Sequence, residues 1–332
     1  MSWDLIIPFL QPLEDFIRDP DVSEILVNGP SRVFIERQGE LQEAPGVTLT
    51  EKSLQIAVRN IARILGDDVS PERPLLDGRL PDGSRLGAVL APCSLTGTVL
   101  AIRKFHGALY KPEELVRLGT LTPDLLERLR QVVGGRQNIL ISGGAGTGKT
   151  TLLNALCAFI PAGERIVVIE DTSELQLQAN NLVRLEARRE QPGVPAVSVR
   201  DLLKATLRLR PDRILLGEVR GGEAFDLLQV LNTGHSGTLS TLHANSAEQA
   251  LARFSACVLL SGVELPYRAL RSQIGETLNM LVHLERRQSR RLVTQVLCVR
   301  GYDPASDRYH LETIYETRKC PEPPYSTEPF ER

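Results

Sequence analysis

The stretch Gly143-Gly144-Ala145-Gly146-Thr147-Gly148-Lys149-Thr150 constrains the fold of this 332-residue chain more than any other. It fits the pattern G-x-x-x-x-G-K-[ST], and it lies between an apolar, strand-like run at 138–142 and a helix-like run at 151–160. The glycines let main-chain N–H groups converge on phosphate oxygens with no Cβ in the way. The helix end behind them adds roughly half a positive charge. In such a cradle Lys149 is expected to reach the β- and γ-phosphates of a nucleotide, and Thr150 to hold Mg²⁺ through its hydroxyl. A bare glycine-rich turn with an exposed lysine is the alternative, and the flanking strand and helix argue against it.

Binding a triphosphate is not hydrolysing it; the chemistry also needs acids around a metal and a water. One downstream apolar run, 166–169, ends in Glu170-Asp171, and another, 214–216, leads through Gly217 into Glu218. Acids at the carboxyl ends of parallel strands sit where open α/β sheets bind ligands. Glu218 is therefore expected to polarise the attacking water and Glu170 to join the magnesium–water network. The reading as surface acids at strand ends stays open, as does which of the two dominates. A further segment, 234–245, places His235 and His243 at either end of a short strand rich in Ser and Thr. Metal ligation is disfavoured there because no Cys or further His stands at ligand spacing. A sensor of the γ-phosphate is the sharper reading, and an ordinary core or surface histidine the blander one.

Elsewhere the texture is that of two domains. Ile6, Phe9, Leu10, Leu13, Phe16 and Ile17 fall on one helical face interrupted by Pro8 and Pro12, so a broken helix docked on its own core is expected. Strand-like runs at 24–28 and 33–37 are joined by Asn28, Gly29 and Pro30. Leu54, Val58, Ile61 and Leu65 have helical spacing, with Gly66 as a stop. Strands at 85–90 and 98–104 close an N-terminal α/β domain, 1–106. A linker, 107–121, follows, and Thr122 caps a helix that opens at Pro123. From there to 318 short apolar strands alternate with helices, which reads as a parallel sheet covered on both faces, closed by strands at 281–285 and 292–299. The proline-rich tail, 319–332, is expected to be loosely ordered.

Composition narrows the function class. Lys and Arg number 39 against 41 acids, a formal charge of −2, and aromatics make up 5 %, so no basic, aromatic strip for nucleic acid is expected. The cluster Arg286, Arg287, Arg290 and Arg291 reads as a solvated turn between strands. Five scattered cysteines with no C-x-x-C pair fit a reducing compartment and exclude a cysteine zinc ribbon. No apolar run approaches the ~20 residues of a membrane span, and no export signal is apparent, so a cytoplasmic location is expected.

Taken in order, GGAGTGKTT (143–151), VVIEDTSEL (167–175), LRPDRILLGEVRG (209–221) and GHSGTLSTLHAN (234–245) resemble the Walker A, Asp box, Walker B and His box of the type II/IV secretion ATPase superfamily. DPDVSEILVNGP (19–30), DGRLPDGSRLGAVLAP (77–92) and LAIRKF (100–105) look like the N-terminal domain of CpaF-type ATPases of tight-adherence (Flp) pili and of related conjugation and type IV secretion ATPases. The resemblance implies a RecA-like P-loop NTPase C-terminal domain preceded by a smaller α/β domain, with ATP and Mg²⁺ as ligands. It extends the phosphate cradle to Thr151 and makes Arg85 and Arg103 phosphate-binding arginines, guanidinium being always charged and fork-shaped. Arg79 is a weaker candidate, and Arg220 one that acts across a subunit boundary. A homohexameric ring on an inner-membrane platform protein, at the cytoplasmic face, is implied as well. The cysteine-rich insertion of some type II secretion ATPases is absent.

Two other classes share these motifs. A ring-type nucleic-acid translocase would have the same core but should carry basic strips; nothing missing favours a nucleotide-gated scaffold that binds ATP with negligible turnover, since Lys149, Thr150 and Glu218 are all present. A GTPase should show N-K-x-D and an ABC ATPase L-S-G-G-Q, and neither occurs. The sequence does not choose between pilus extension, pilus retraction, protein secretion and DNA transfer.

Overall fold

The computed structural model describes residues 6–317 apart from Gln38, Pro45, Pro81, 106–109, Pro192 and Ser289. The expected tail lies outside the described residues. The chain divides into two compact units: Met1–Ala108 with Asp171–Glu174 and Glu186–Ser198, and Leu109–Glu170 with Leu175–Leu185 and Val199–Arg332.

In the first unit, 3₁₀ turns at Ile7–Phe9 and Gln11–Leu13, each with a proline in its first positions, lead into α1 (Glu14–Arg18). Ile6, Leu10, Leu13 and Ile17 are buried in the unit's own core, as the broken helical face predicts. The strands β1 (Val22–Asn28), β2 (Val33–Arg37), β3 (Glu40–Glu43), β4 (Leu75–Arg79), β5 (Arg85–Val89) and β6 (Val99–Arg103) form a sheet in the order β3-β2-β1-β6-β5-β4. Its neighbouring strands pair antiparallel throughout. Across it packs α2 (Glu51–Ile64), which buries Leu54, Val58 and Ile61. Thr50 starts that helix with a reciprocal pair, its Oγ1 accepting from Ser53 N and Ser53 Oγ accepting from Thr50 N, both at 3.1 Å.

The second unit opens with α3 (Pro112–Arg117) and α4 (Pro123–Gly134), the latter capped by Thr122 Oγ1 accepting from Leu125 N at 3.2 Å. The stretch read as a linker is thus part of this unit: Leu115 and Leu121 are buried in its core. Burying Leu125, Leu126, Leu129 and Val133 fastens α4, at roughly 1.5–3 kcal/mol per side chain. The chain then runs β7 (Ile139–Gly143), α5 (Lys149–Cys157), β8 (Ile166–Glu170), β9 (Leu182–Glu186), α6 (Val199–Thr206), β10 (Arg213–Val219), α7 (Glu223–Asn232) and β11 (Leu239–His243). It closes with α8 (Ala247–Leu259), α9 (Tyr267–Thr277), β12 (Met280–Arg287), β13 (Arg290–Asp303) and β14 (Arg308–Glu316).

Among the described residues the sheet order is β14-β13-β12-β7-β11-β10-β8-β9. The run β12-β7-β11-β10-β8 is parallel, and β13 and β14 add antiparallel pairings at one side. Successive side chains of a strand point to opposite faces. Leu140, Val167, Ile169, Ile214, Leu216 and Leu242 accordingly meet the face that packs α7 and α8, whereas Ile139, Ile141, Val168 and Leu215 meet α4 and α5. The both-faces-covered sheet expected from the sequence is what forms. It brings the carboxyl ends of β7, β11, β10 and β8 to one edge.

Candidate nucleotide site

At that edge β7, buried along its whole length, turns through Gly143, Gly146 and Gly148 at φ +157°, +68° and +92°. A Cβ on Gly143 would lie 2.5 Å from the Leu284 carbonyl oxygen and 2.6 Å from Thr147 Oγ1, so only glycine fits. Gly148 is the N-cap of α5 in the left-handed region, with no side chain accepting from the first helical turn. The N–H groups there are aimed at the loop and suit an anion. Gly144, Ala145 and Gly146 form an exposed crest, Thr147 and Lys149 are buried, and Thr150 and Thr151 are half-buried on α5. Thr147 Oγ1 donates to Gly144 O at 3.0 Å and Lys149 Nζ to the same oxygen at 2.8 Å. These bonds hold the loop concave.

Lys149 begins a polar chain across the sheet edge. Its ammonium lies 3.3 Å from His243 Nδ1, and His243 stands in register with Gly143 on the neighbouring strand. His243 Nε2 is 2.8 Å from Glu218 Oε1, an ion-pair distance without a well-aligned hydrogen bond. Glu218 Oε2 accepts from Arg220 Nε at 2.8 Å and lies 2.7 Å from Arg220 Nη2. Burial and then the Lys149 ammonium hold the His243 imidazole below its ordinary pKa, with Glu218 opposing them. An ammonium can only donate, so Nδ1 is the bare nitrogen and Nε2 carries the proton.

Glu170, at the end of β8, is 3 % exposed and accepts from Leu175 N at 2.9 Å through Oε1. Its stem fills the space beside Gly217, where a Cβ would come within 3.0 Å of Glu170 Cγ. Sequence-chosen Lys149, Glu218 and His243 thus meet in one cluster, and Thr150 and Glu170 lie on the neighbouring α5 and β8. His235 does not join them. It sits at the amino end of β11, where Asn138 Oδ1 accepts from Gly237 N and Thr238 N, and its Nδ1 lies 3.2 Å from Thr233 Oγ1. A parallel strand cannot present both of its ends to one phosphate, which corrects the expectation of a paired sensor.

Two cavities border the cradle. One of about 210 Å³ is lined by Tyr110, Leu118, Thr147, Gly148, Thr151 and Arg291 among others. Another of about 310 Å³ is lined by Gly144, His243, Ala244, Asn245, Gln249 and Arg253. The basic cluster read as a solvated turn does join β12 and β13, with Arg286 opposite Arg291 and Arg287 opposite Arg290. Arg290 and Arg291, however, line the first cavity, and Arg291 Nε donates to Gly146 O at 3.1 Å. Sequence reasoning also missed His283. It is buried on β12 with Nδ1 2.9 Å from Ser142 Oγ, and burial lowers its pKa. The one signal was its place inside the apolar run 280–284, which is buried throughout.

The arginines of the first unit show an arrangement of their own. Arg79 pairs in register with Arg85, and Arg85 with Arg103, so three guanidinium groups share one face of three adjacent strands. Like charges so placed repel, and carboxylates answer each one. Arg79 Nη1 is 2.7 Å from Glu186, Arg85 Nη1 3.3 Å from Glu174, and Arg103 Nε 3.6 Å from Glu24. The row makes Arg79 a partner of the other two, which sequence order alone concealed.

No group of three or more His, Cys, Asp or Glu fit to hold a metal occurs among the described residues. The chemistry of the donors beside the anion cradle, the Thr150 hydroxyl and the Glu170 carboxylate, fits magnesium. A parallel sheet with this loop at its carboxyl edge, a lysine folded into it and acids on the adjoining strands define a P-loop nucleoside-triphosphate hydrolase.

A family model described as Type II/IV secretion system protein matches residues 9–322. The type IV secretion system protein PtlH of Bordetella pertussis is 39 % identical over 303 residues, covering 84 % of this chain and 89 % of its own. The conjugal transfer protein TrbB of Rhizobium radiobacter is 36 % identical over 287 residues, covering 86 % and 85 %. In fold the chain is similar to the Legionella pneumophila ATPase DotB, with a TM-score of 0.61 at 18 % identity over 90 % of this chain and 81 % of that one. The chain belongs to the type II/IV secretion system protein family and is an ATPase of it.

Proposed function

We propose that the chain hydrolyses MgATP at the loop between β7 and α5 as one subunit of a homohexameric ring. The ring would pass the resulting movement to an inner-membrane platform protein at the cytoplasmic face. The observation that carries the reading is the chain of contacts from the Gly144 carbonyl through Lys149 and His243 to Glu218. It joins the residue expected on the phosphates to the residue expected on the water.

In this reading the main-chain amides of 143–150 and Lys149 bind the phosphates, and Thr151 extends the cradle. Mg²⁺, held by Thr150 and, through water, Glu170, would neutralise charge on the transferring phosphoryl group. Glu218 orients and polarises the attacking water. His243 is the sensor. When Lys149 turns to the phosphates, the cation nearest Nδ1 leaves and the imidazole becomes more basic, so occupancy of the cradle is felt at Glu218. Arg85 and Arg103, with Arg79 beside them, are phosphate ligands that exchange carboxylates for phosphate oxygens, and Arg220 acts across the subunit boundary.

The names of the relatives, conjugal transfer and type IV secretion, favour a machine of that kind over the tight-adherence pilus to which the motifs also pointed. Among the described residues no helix is long and apolar enough to cross a membrane, so membrane association would come through partners. No direct handling of nucleic acid is proposed. Light scattering on the full chain in MgATP tests the ring. A hexamer is expected, and a strict monomer at every concentration would contradict it.

A further inference from the structure

The hairpin of β12 and β13 carries arginines that the hydrolytic reading leaves without a task. Arg287 Nε is answered by Glu285 at 2.9 Å. Arg290 and Arg291 have no carboxylate partner among the described residues. Both line the cavity of about 210 Å³ beside α5, along with Tyr110, Leu118, Thr147 and Thr151. Arg291 reaches the cradle itself. Its Nε donates to Gly146 O at 3.1 Å, and its Cδ would lie 3.2 Å from a Cβ on Gly148. One edge of the guanidinium therefore pins the loop, while the side chain as a whole stays exposed on the cavity's rim.

The cavity is too small for a whole nucleotide, since pockets for drug-sized molecules run to about 300–1,000 Å³. It is also partly apolar, with Leu115, Leu152 and Leu284 buried at its wall. A plain anion site would not need an apolar wall and a tyrosine. A flat heteroaromatic ring does, because guanidinium groups stack on π faces. Thr147, Gly148 and Thr151 place the cavity directly beside the phosphate cradle.

We propose that Arg291 is a positioning residue that binds the purine base of the nucleotide in this cavity while fixing the loop through Gly146. The inference rests on the proposed binding of ATP at 143–150, and the test separates the two. Binding of ADP and of inorganic tripolyphosphate to the full chain is measured by calorimetric titration for the unmodified protein, Arg291→Ala and Arg291→Lys. KM and kcat are measured alongside. The expected result for Arg291→Ala is about a tenfold loss of ADP affinity, within the range of a desolvated cation–π contact, with tripolyphosphate affinity changed by less than twofold. The kinetic loss falls mainly on KM. Arg291→Lys keeps a donor for Gly146 but no stacking plane, so it should not restore ADP binding. Equal losses for both ligands, or full rescue by lysine, would make Arg291 a loop clamp only and overturn the assignment. Unmodified protein that binds tripolyphosphate and ADP equally tightly would overturn the base site and leave the phosphate site standing; protein that binds neither would overturn both.

Discussion

Replacing Glu218 with glutamine should separate chemistry from stability. Glu218 is 19 % exposed in its side chain, and its partners are more open still, Arg220 at 51 % and His243 at 48 %. The Arg220 ion pair and the contact with the neutral His243 imidazole, so screened by solvent, are worth about 0–1 kcal/mol each. Glutamine keeps the shape and one oxygen acceptor, so the loss of stability should stay at or below about 1 kcal/mol, a shift in Tm of roughly 2–4 °C for a unit of this size. The reaction should suffer far more, because loss of a positioned base costs about 10²–10⁴-fold. At about 1.36 kcal/mol per decade that is roughly 2.7–5.4 kcal/mol on the barrier. Steady-state phosphate release at saturating MgATP, nucleotide affinity by titration, and Tm of the same preparation measure the three effects. The expected pattern is slow release with affinity and Tm nearly intact. Release at the unmodified rate would refute the role given to Glu218, and a fall in Tm proportionate to the fall in activity would refute the argument from exposure.

Gly148→Ala forces a Cβ into the left-handed region, about 1–2 kcal/mol of strain, and against Arg291; ADP affinity should fall at least about tenfold, and unchanged affinity in the titration would contradict this. His283 gives a pH signature. Burial holds its folded pKa below the unfolded value of ~6.5, so below that pH the unfolded chain binds more protons and native stability drops. His283→Asn removes this dependence, while His243 contributes equally to both proteins. The Tm advantage of the unmodified protein should therefore narrow between pH 7.5 and pH 5, and a constant or widening gap would be the contrary result.

The parts of this molecule legible in its sequence were those fixed by local chemistry. The glycines, Lys149 and the strand on either side mark the cradle, Thr122 and Pro123 mark the start of α4, and the apolar run at 214–216 marks β10. What stayed hidden depends on register and long-range packing. In β3 all four residues, Glu40 to Glu43, are exposed, so no alternation betrays it. In β4 an Asp-Gly pair reads as a turn, yet pairing with β5 draws it into the sheet. The row Arg79, Arg85 and Arg103 exists only once three strands are aligned. The same holds for Ser142 with His283, 141 residues apart, and for Arg291 with Gly146, 145 residues apart. His235 and His243 illustrate the converse, since closeness in sequence suggested a pair that the strand between them keeps apart.

Everything assigned here descends from an anion cradle closed by Lys149. Calorimetric titration of MgADP into the full chain, unmodified and as Lys149→Ala, measures that grip directly. One nucleotide per chain is expected for the unmodified protein and no detectable heat of binding for the variant. Equal affinity in the two proteins would place the nucleotide somewhere other than residues 143–150.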